Sequence, residues 1–126
     1  MKTPRILIID DEKEICELVK VFLSKKNYSC FSATTEREAL GLIKKEHPQL
    51  VLLDLRLGDI SGIDVLGKIK ELDKNIKVIM VTALDDAESI RQARELGADD
   101  YICKPFTATY LNELISLKTA EFKDTE

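Results

Sequence analysis

Five polar side chains in this 126-residue chain stand where short apolar runs end. They are Asp10, Asp11, Asp54, Thr82 and Lys104. Three of them are carboxylates, which repel one another in a shared pocket unless a cation lies among them. Carboxylate oxygens are ligands that Mg²⁺ prefers, and bound Mg²⁺ accepts a phosphoryl oxygen as a further ligand. Because a lysine ammonium and a threonine hydroxyl also bind phosphoryl oxygens, the residue types favour phosphoryl chemistry if the five side chains converge.

Asp54 is the candidate nucleophile. It lies in an otherwise apolar run at residues 51–55, a pattern typical of a parallel strand that is buried on both faces. An unpaired buried carboxylate costs several kcal/mol, so we expect Asp54 to lie at the end of its strand, beside a cation, or both. A carboxylate held by Mg²⁺ and faced by a lysine can form an aspartyl-phosphate. Phosphoryl transfer needs chiefly positioning and charge neutralisation, which these residue types supply.

The elements that must position these side chains alternate between apolar runs and helical patterns. The apolar runs are residues 5–9, 28–33, 50–55, 76–81 and 101–103. Amphipathic segments follow them, as where Ile15, Leu18 and Phe22 recur at helical spacing. This alternation predicts an α/β fold, a flavodoxin-like (βα)5 three-layer sandwich with a five-stranded parallel sheet of order 2-1-3-4-5. In that order the carboxyl ends of the first and third strands flank one crevice, where the polar side chains would meet.

Capping signals predict where the helices begin and end. The predicted starts are the capping boxes Asp11–Glu14 and Thr35–Glu38, the pair Asp85-Asp86, and Thr107. The predicted ends are His47-Pro48 and Gly97, and the composition of residues 58–62 predicts a loop. From Lys118 the sequence becomes polar and charged. We therefore expect one domain over residues 4–118 and a C-terminal tail or linker stub over residues 119–126.

Composition describes an ordinary globular chain, with 44% hydrophobic and 33% charged residues. The formal net charge is −4 and no basic stripe is visible, so we expect no direct nucleic-acid binding by this chain. No apolar run approaches the length of about 20 residues that a membrane span needs. Residues 1–5 lead directly into a strand instead of a signal peptide, so a cytoplasmic location without membrane association is the expectation.

Cys16, Cys30 and Cys103 are an odd number of cysteines without C-x-x-C spacing. This pattern argues against a disulfide framework and against a zinc site. We expect all three to be small buried hydrophobic side chains.

Each polar signal also has a simpler interpretation. Asp10 and Asp11 could be only helix caps, Asp54 a loop-facing acid, and Lys104 part of an ordinary turn. Five such residues at strand ends in one fold are, however, hard to attribute to coincidence.

Two other functions use related residues. A Mg²⁺-dependent phosphatase with an aspartate nucleophile usually carries two acids one residue apart on its first strand, with the nucleophile there. In this chain Asp10 and Asp11 are adjacent, and no cap insertion encloses a substrate. A flavin-binding flavodoxin-like module would need a Ser/Thr/Gly-rich phosphate loop after the first strand, where acids would repel FMN.

Four motifs contain the polar residues. They are Ile8-Ile9-Asp10-Asp11-Glu12, Leu52-Leu53-Asp54-Leu55, Val81-Thr82-Ala83 and Gly97-Ala98-Asp99-Asp100-Tyr101-Ile102-Cys103-Lys104-Pro105-Phe106. With this combination, which is highly specific, the chain resembles the receiver domains of two-component response regulators over about residues 4–118. The resemblance implies that Asp54 accepts a phosphoryl group from a sensor histidine kinase or a histidine phosphotransfer protein.

The resemblance also implies a metal site. Mg²⁺, for which Mn²⁺ can substitute, would be bound by Asp54 and directly by Asp11. Asp10 would act mainly through water, and Arg56 would contribute its backbone carbonyl.

The remaining implied roles concern the phosphoryl group itself. Lys104 and Thr82 would contact the phosphoryl oxygens, and a cis peptide bond would precede Pro105. Beyond its own phosphorylation and dephosphorylation, the domain would have no enzymatic activity.

A conformational switch is implied as well. Phosphorylation adds negative charge, Thr82 moves toward it, and Tyr101 turns inward. The face made by the fourth helix, the fifth strand and the last helix then changes, which controls an effector domain or protein target. Such domains are monomers or dimerise on phosphorylation. Without the resemblance, Tyr101 would be interpreted as a static, half-buried strand residue.

Some positions depart from the family pattern. Gly58 stands where the family often has proline, which favours a more mobile loop. Arg56 and Leu84 occupy positions that tune phosphoryl lifetime in the family. We hypothesise that Leu84 restricts water and that Arg56 adds charge, which together give slow self-hydrolysis.

The output of the domain is left open by the sequence. Residues 97–101 are similar to those of regulators with winged-helix effectors, whose last helix tends to carry arginines for dimer ion pairs. Residues 107–117 contain neither Arg nor Lys, so that mode of dimerisation is not favoured. A free-standing regulator, a phosphorelay shuttle, and a receiver from a DNA-binding or hybrid-kinase parent all fit the sequence.

Overall fold

Five parallel strands form the central sheet of the computed structural model, which describes residues 3–82 and 87–120. Along the chain they are β1 (Arg5–Ile9), β2 (Ser29–Ala33), β3 (Leu50–Asp54), β6 (Lys77–Thr82) and β7 (Asp100–Cys103). A separate two-stranded hairpin between β3 and the next helix consists of β4 (Arg56–Leu57) and β5 (Ile60–Ser61). The sheet order is β2-β1-β3-β6-β7, and every pairing in it is parallel. Since β6 and β7 are the fourth and fifth strands of this sheet, the predicted flavodoxin-like order 2-1-3-4-5 is confirmed.

Five helices cover the two faces of the sheet. They are α1 (Lys13–Ser24), α2 (Glu36–Glu46), α3 (Gly62–Leu72), α4 (Ala87–Glu95) and α5 (Ala108–Ala120). Buried side chains of α1 and α5 pack on one face of the sheet, and buried side chains of α2, α3 and α4 pack on the other. None of these helices is long and apolar enough to cross a membrane.

The continuous apolar runs of β1 and β3 have partners on both faces. Leu7 and Val51 belong to the core beneath α2, α3 and α4, whereas their chain neighbours Ile8 and Leu52 belong to the core beneath α1 and α5. Because side chains alternate across a strand, a strand between two helical layers has no solvent-facing side. All residues of β3 are buried, including the acid Asp54 at its end.

Two of the predicted helix starts are confirmed. The Thr35 hydroxyl accepts a hydrogen bond from the Glu38 N–H at 3.2 Å, and the Thr107 hydroxyl accepts one from the Tyr110 N–H at 3.0 Å. Residues Asp85-Asp86, the predicted start of another helix, lie outside the described residues.

The predicted Asp11–Glu14 capping box is wrong. Glu12 is the N-cap residue of α1 and makes no side-chain capping bond. The Asp11 carboxylate accepts a hydrogen bond from the Gly58 N–H instead, because the hairpin brings that donor to it.

The predicted helix ends are also confirmed. Gly97 has a φ of 103°, and the Ala98 N–H bonds back to the Ala93 carbonyl at 2.9 Å. His47 ends α2 in the left-handed region with a φ of 49°. The loop predicted at residues 58–62 is only partly right, because Ile60–Ser61 pairs with Arg56–Leu57.

The cysteines differ in exposure. Cys16 is buried and Cys30 is half-buried, and burial raises the pKa of each thiol to about 11. Cys103 is exposed, so the expectation that all three are buried is wrong. It is the last residue of an edge strand, where one face can remain open to solvent.

Candidate functional site

Asp54 lies at the carboxyl end of the central strand β3 and is only 8% exposed. Its carboxylate has two hydrogen-bond donors on different sides. The Arg56 N–H reaches Oδ1 at 3.1 Å, and the Lys104 ammonium reaches Oδ2 at 2.9 Å. The carboxylate therefore lies at the end of its strand and faces a cation, the two conditions that the sequence required of it.

Asp10 follows β1, the neighbour of β3, and is 3% exposed. The Glu12 N–H donates to its Oδ1 at 2.9 Å, and Lys104 Nζ lies 3.3 Å from its Oδ2. Burial raises the pKa of Asp10, and the charge of Asp54 raises it further, against the opposing effects of the Glu12 N–H and Lys104. One ammonium is thus shared by two buried carboxylates.

Lys104 follows β7, and its backbone N–H donates to the Thr82 carbonyl at 2.6 Å. The peptide bond between Lys104 and Pro105 is cis, which the family resemblance implied. Burial acts to lower the pKa of the Lys104 ammonium. The hydrogen bond and the charge of Asp54, together with those of Asp10, outweigh that effect and raise the pKa. The lysine is therefore charged at neutral pH.

Asp11 lies on the exposed side of the same acids. Its Oδ2 accepts a hydrogen bond from the Gly58 N–H at 3.1 Å. Carboxylate oxygens of Asp10, Asp11 and Glu12 all lie within 4.8 Å of one another. This donor set consists of hard oxygen atoms with an excess of negative charge, which fits Mg²⁺ or Mn²⁺ and not a soft metal.

Sequence reasoning missed Gly62, the first residue of α3. A Cβ atom at this position would lie 2.2 Å from the backbone carbonyl oxygen of Asp54, and the Gly62 N–H donates to the Leu55 carbonyl at 2.6 Å. Only a glycine allows this approach without a shift of the backbone that carries Asp54. The sequence feature that could have identified Gly62 is its place directly after Ser61, the N-cap serine of α3, because a side chain is ordinarily tolerated at that position of a helix.

Thr82 and Tyr101 lie on β6 and β7, the two strands that follow β3 in the sheet. Thr82 is buried at the end of β6, and Tyr101 is half-buried in the neighbouring strand β7. Both line a small cavity of ≈ 10 Å³, enough for about one water molecule. The guanidinium of Arg94 on α4 lies 5.4 Å from the centroid of the Tyr101 ring.

An apolar groove adjoins the site on its other side. Its volume is ≈ 680 Å³, and it runs between α1 and the segment that follows β7. Leu18 and Phe22 of α1 line it together with Pro105 and Phe106, and Lys104 lies at its margin. Leu18 is 68% exposed, so the groove presents apolar surface to solvent.

The structure therefore brings several of the site residues expected from the sequence together. Lys104 contacts both Asp10 and Asp54, and Asp11 and the Arg56 N–H lie beside these three residues. Leu84 lies outside the described residues.

Comparison with known proteins agrees with this geometry. The family model for the response regulator receiver domain matches residues 6–116. Sporulation initiation phosphotransferase F of Bacillus subtilis is 36% identical over 115 residues, which cover 91% of this chain and 93% of that protein. The probable transcriptional regulator ycf27 of Porphyridium aerugineum is 40% identical over 115 residues, but these are only 48% of its length. The chain thus spans nearly all of the first relative and about half of the second.

Solved structures give the same result. A CheY-like response regulator receiver domain protein from Methanospirillum hungatei superposes with a TM-score of 0.93 at 34% identity. The superposition covers 99% of this chain and 100% of that chain. The signal receiver domain of a putative Luxo repressor protein from Vibrio parahaemolyticus gives a TM-score of 0.88 at 32% identity, with 98% and 97% coverage. From the strand-end acids, the shared lysine and these matches together, the chain belongs to the response regulator receiver domain family of two-component signal transduction.

Proposed function

We propose that this chain is a phosphorylation-dependent signalling switch whose acceptor is Asp54. The observation that carries the proposal is the sharing of Lys104 by Asp54 and Asp10, with Nζ 2.9 Å and 3.3 Å from their oxygens. This arrangement lies at the carboxyl edge of the sheet, next to Asp11. It holds more negative charge than one ammonium can balance, so it is suited to a divalent cation and then to a phosphoryl group.

The reaction uses few groups of the chain. A carboxylate oxygen of Asp54 attacks the phosphorus of a phosphohistidine; an O–P bond forms, the N–P bond breaks, and the imidazole leaves. Lys104 exchanges its contact with the Asp54 carboxylate for one with a phosphoryl oxygen. The Arg56 N–H holds the other Asp54 oxygen in place during attack. Asp11, Asp10, Asp54 and the Arg56 carbonyl would hold Mg²⁺, which when bound supplies positive charge to the phosphoryl oxygens.

The cavity beside Thr82 supports the proposed switch. Thr82 would contact the new phosphoryl group, and Tyr101 would turn toward the space between α4 and β7. The Arg94 guanidinium lies over the Tyr101 ring at 5.4 Å from its centroid, so a turn of the ring would change that contact. The face made by α4, β7 and α5 would change as a result, and this face would control the output.

The apolar groove supports a histidine-bearing partner. Its exposed residue Leu18 can pack against an apolar helix. Lys104 lies at the margin of the groove, so the groove extends to the site. A helix seated there would carry its phosphohistidine to Asp54. We therefore propose a sensor histidine kinase or a histidine phosphotransfer protein as the donor.

The organisation around this domain is also a proposal. We propose a receiver domain over residues 4–118 in the cytoplasm, monomeric or dimeric on phosphorylation, that acts alone or on an effector. Helix α5 continues to Ala120, and its residue Thr119 is buried. The transcriptional regulators among its relatives are about twice its length, which is consistent with either organisation.

The intact mass of the protein after incubation with a phosphoryl donor tests the function directly. The protein is incubated with acetyl phosphate and Mg²⁺, and intact mass is measured for wild type and for Asp54→Asn. We expect one phosphoryl group on wild type, none without Mg²⁺, and none on the variant. An unmodified wild type, or an equally modified Asp54→Asn, would contradict the proposal, and steady turnover of p-nitrophenyl phosphate would favour the phosphatase alternative.

A further inference from the structure

The β4–β5 hairpin is tied to two acids of the site through its own backbone. The Arg56 N–H donates to Asp54 Oδ1 at 3.1 Å, and the Gly58 N–H donates to Asp11 Oδ2 at 3.1 Å. The two donors lie two residues apart, as successive N–H groups on one side of an extended arm do. Their acceptors belong to different strands, because Asp54 ends β3 whereas Asp11 follows β1. One short arm thus fixes the positions of two carboxylates.

The Asp11 carboxylate needs such a contact more than Asp54 does. Asp54 is buried and held by Lys104, but Asp11 is exposed and lies close to the buried carboxylate of Asp10. Like charges so close repel, and an exposed side chain has free rotamers into which it can turn away. Within the part of the chain that the structure describes, the Gly58 N–H is the hydrogen-bond donor that keeps Asp11 beside Asp10.

The residue type at position 58 makes this contact possible. Gly58 has a φ of 63°, and nothing lies within 4 Å of where its Cβ would be. A left-handed backbone favours glycine, so the chain can turn directly after this N–H without strain. Proline, the residue that the family resemblance leads one to expect here, has no N–H and a φ fixed near −65°, so it could make no such bond.

We propose that the Gly58 N–H is a positioning group for Asp11, which holds this carboxylate next to Asp10 so that both acids can serve one divalent cation. The inference rests on the proposed function, since it takes Mg²⁺ to bind at Asp11. The bond occupies Oδ2 and leaves the second oxygen of the carboxylate for the metal. By linkage, a metal that favours the held carboxylate also favours the hairpin position that holds it.

Hydrogen exchange at one amide tests the contact without any phosphoryl chemistry. Exchange of the Gly58 N–H is measured by NMR in the metal-free wild type, in Asp11→Ala, and in wild type with saturating MgCl₂. We expect protection in wild type, faster exchange in Asp11→Ala, and slower exchange with Mg²⁺. Equal exchange in wild type and Asp11→Ala would overturn the proposal, because the hydrogen bond would then not exist in solution.

Magnesium titration of three variants tests the consequence. Gly58→Pro lacks the N–H; Gly58→Val keeps it but is strained at the same φ; and Gly58→Asn keeps it and tolerates the left-handed region. We expect Gly58→Pro to bind Mg²⁺ about fivefold more weakly than Gly58→Val, and Gly58→Asn to match wild type. Equal affinities in all three would overturn the inference and leave the proposed function standing. A wild type that binds no Mg²⁺ would overturn both.

Discussion

Two clusters of aspartate and lysine side chains lie at opposite edges of the same sheet, at the amino ends and at the carboxyl ends of its strands. Lysines outnumber the aspartate in the first cluster, and aspartates outnumber the lysine in the second. At the amino edge, Asp99 pairs with two lysines, with Lys70 Nζ at 3.3 Å and Lys77 Nζ at 3.8 Å. At the carboxyl edge, Lys104 pairs with two aspartates, Asp10 and Asp54, with further acids alongside. Among the described residues, the ion pairs therefore place two lysines on one aspartate at the amino edge and two aspartates on one lysine at the carboxyl edge.

The amino-edge cluster is satisfied by groups of the chain itself. Asp99 also accepts a hydrogen bond from the Val78 N–H at 2.8 Å, and Lys70 donates to the Ile76 carbonyl at 2.5 Å. These contacts join α3, β6 and the start of β7, which is a structural role. The carboxyl-edge cluster retains unbalanced negative charge, and burial raises the pKa of Asp10 there. The difference indicates that an unbalanced cluster at the ligand-binding edge of such a sheet marks function.

Removing one lysine from each edge should separate the two roles most strongly. Lys104→Met deletes the group proposed to neutralise the phosphoryl oxygens, so we expect the rate of phosphorylation to fall about 100-fold. Lys70→Met is the matched change at the amino edge and should leave that rate nearly unchanged. The rates are measured by intact mass after timed incubation with acetyl phosphate and Mg²⁺. Similar losses in both variants would break the distinction between the two clusters.

The free energy of unfolding, in contrast to the phosphorylation rate, should depend on the amino-edge cluster. Asp99→Ala removes the acceptor of the Val78 N–H and the partner of two lysines, so we expect the free energy of unfolding to fall by about 2 kcal/mol. The measurement is urea unfolding of metal-free protein, with Asp73→Ala as a control on the same edge. Under conditions in which the Asp99→Ala variant is folded, its phosphorylation should proceed as in wild type. A variant of unchanged stability that could no longer be phosphorylated would reverse the assignment.

The convergence at the carboxyl edge follows from patterns that a sequence carries well. Continuous apolar runs and helical periodicity predict strands and helices, and parallel topology then brings the ends of neighbouring strands to one edge. The contact of Asp10, Asp54 and Lys104 is of this kind. The amino-edge cluster was not predicted, because nothing in the spacing of Lys70 and Asp99 distinguishes them from solvated surface residues.

Short and ambiguous signals account for what the sequence did not reveal. Asp11 has the spacing of a helix cap, but its Oδ2 accepts a hydrogen bond from a hairpin whose strands have two residues each, too few for a periodic pattern. The contact of Arg94 with Tyr101 joins two elements and has no local signature. The roles expected for Thr82 and Tyr101 came from the family resemblance and not from residue patterns.

The smallest expected effect concerns Asp10 in the metal-free protein. Its pKa is raised above the ordinary 3.8 by burial and by the charge of Asp54. A carboxyl with a raised pKa in the folded chain stabilises the fold when protonated, so its contribution is present below pH 3.8 and is lost as the pH rises through the folded value. At neutral pH, Asp10→Asn should therefore raise the free energy of unfolding by a small amount.

The pH dependence and the metal dependence of that gain distinguish charge from packing. The advantage of Asp10→Asn should shrink as the pH falls toward 3.8, because wild-type Asp10 then becomes neutral as well. Saturating Mg²⁺ should stabilise wild type more than the variant, since a ligand stabilises the state that binds it more tightly. Asp99→Asn, at the edge with surplus lysines, should lower stability at neutral pH. If Asp10→Asn also lowered stability in metal-free protein at neutral pH, then Lys104 would balance both acids by itself, and the contrast between the two edges would be wrong.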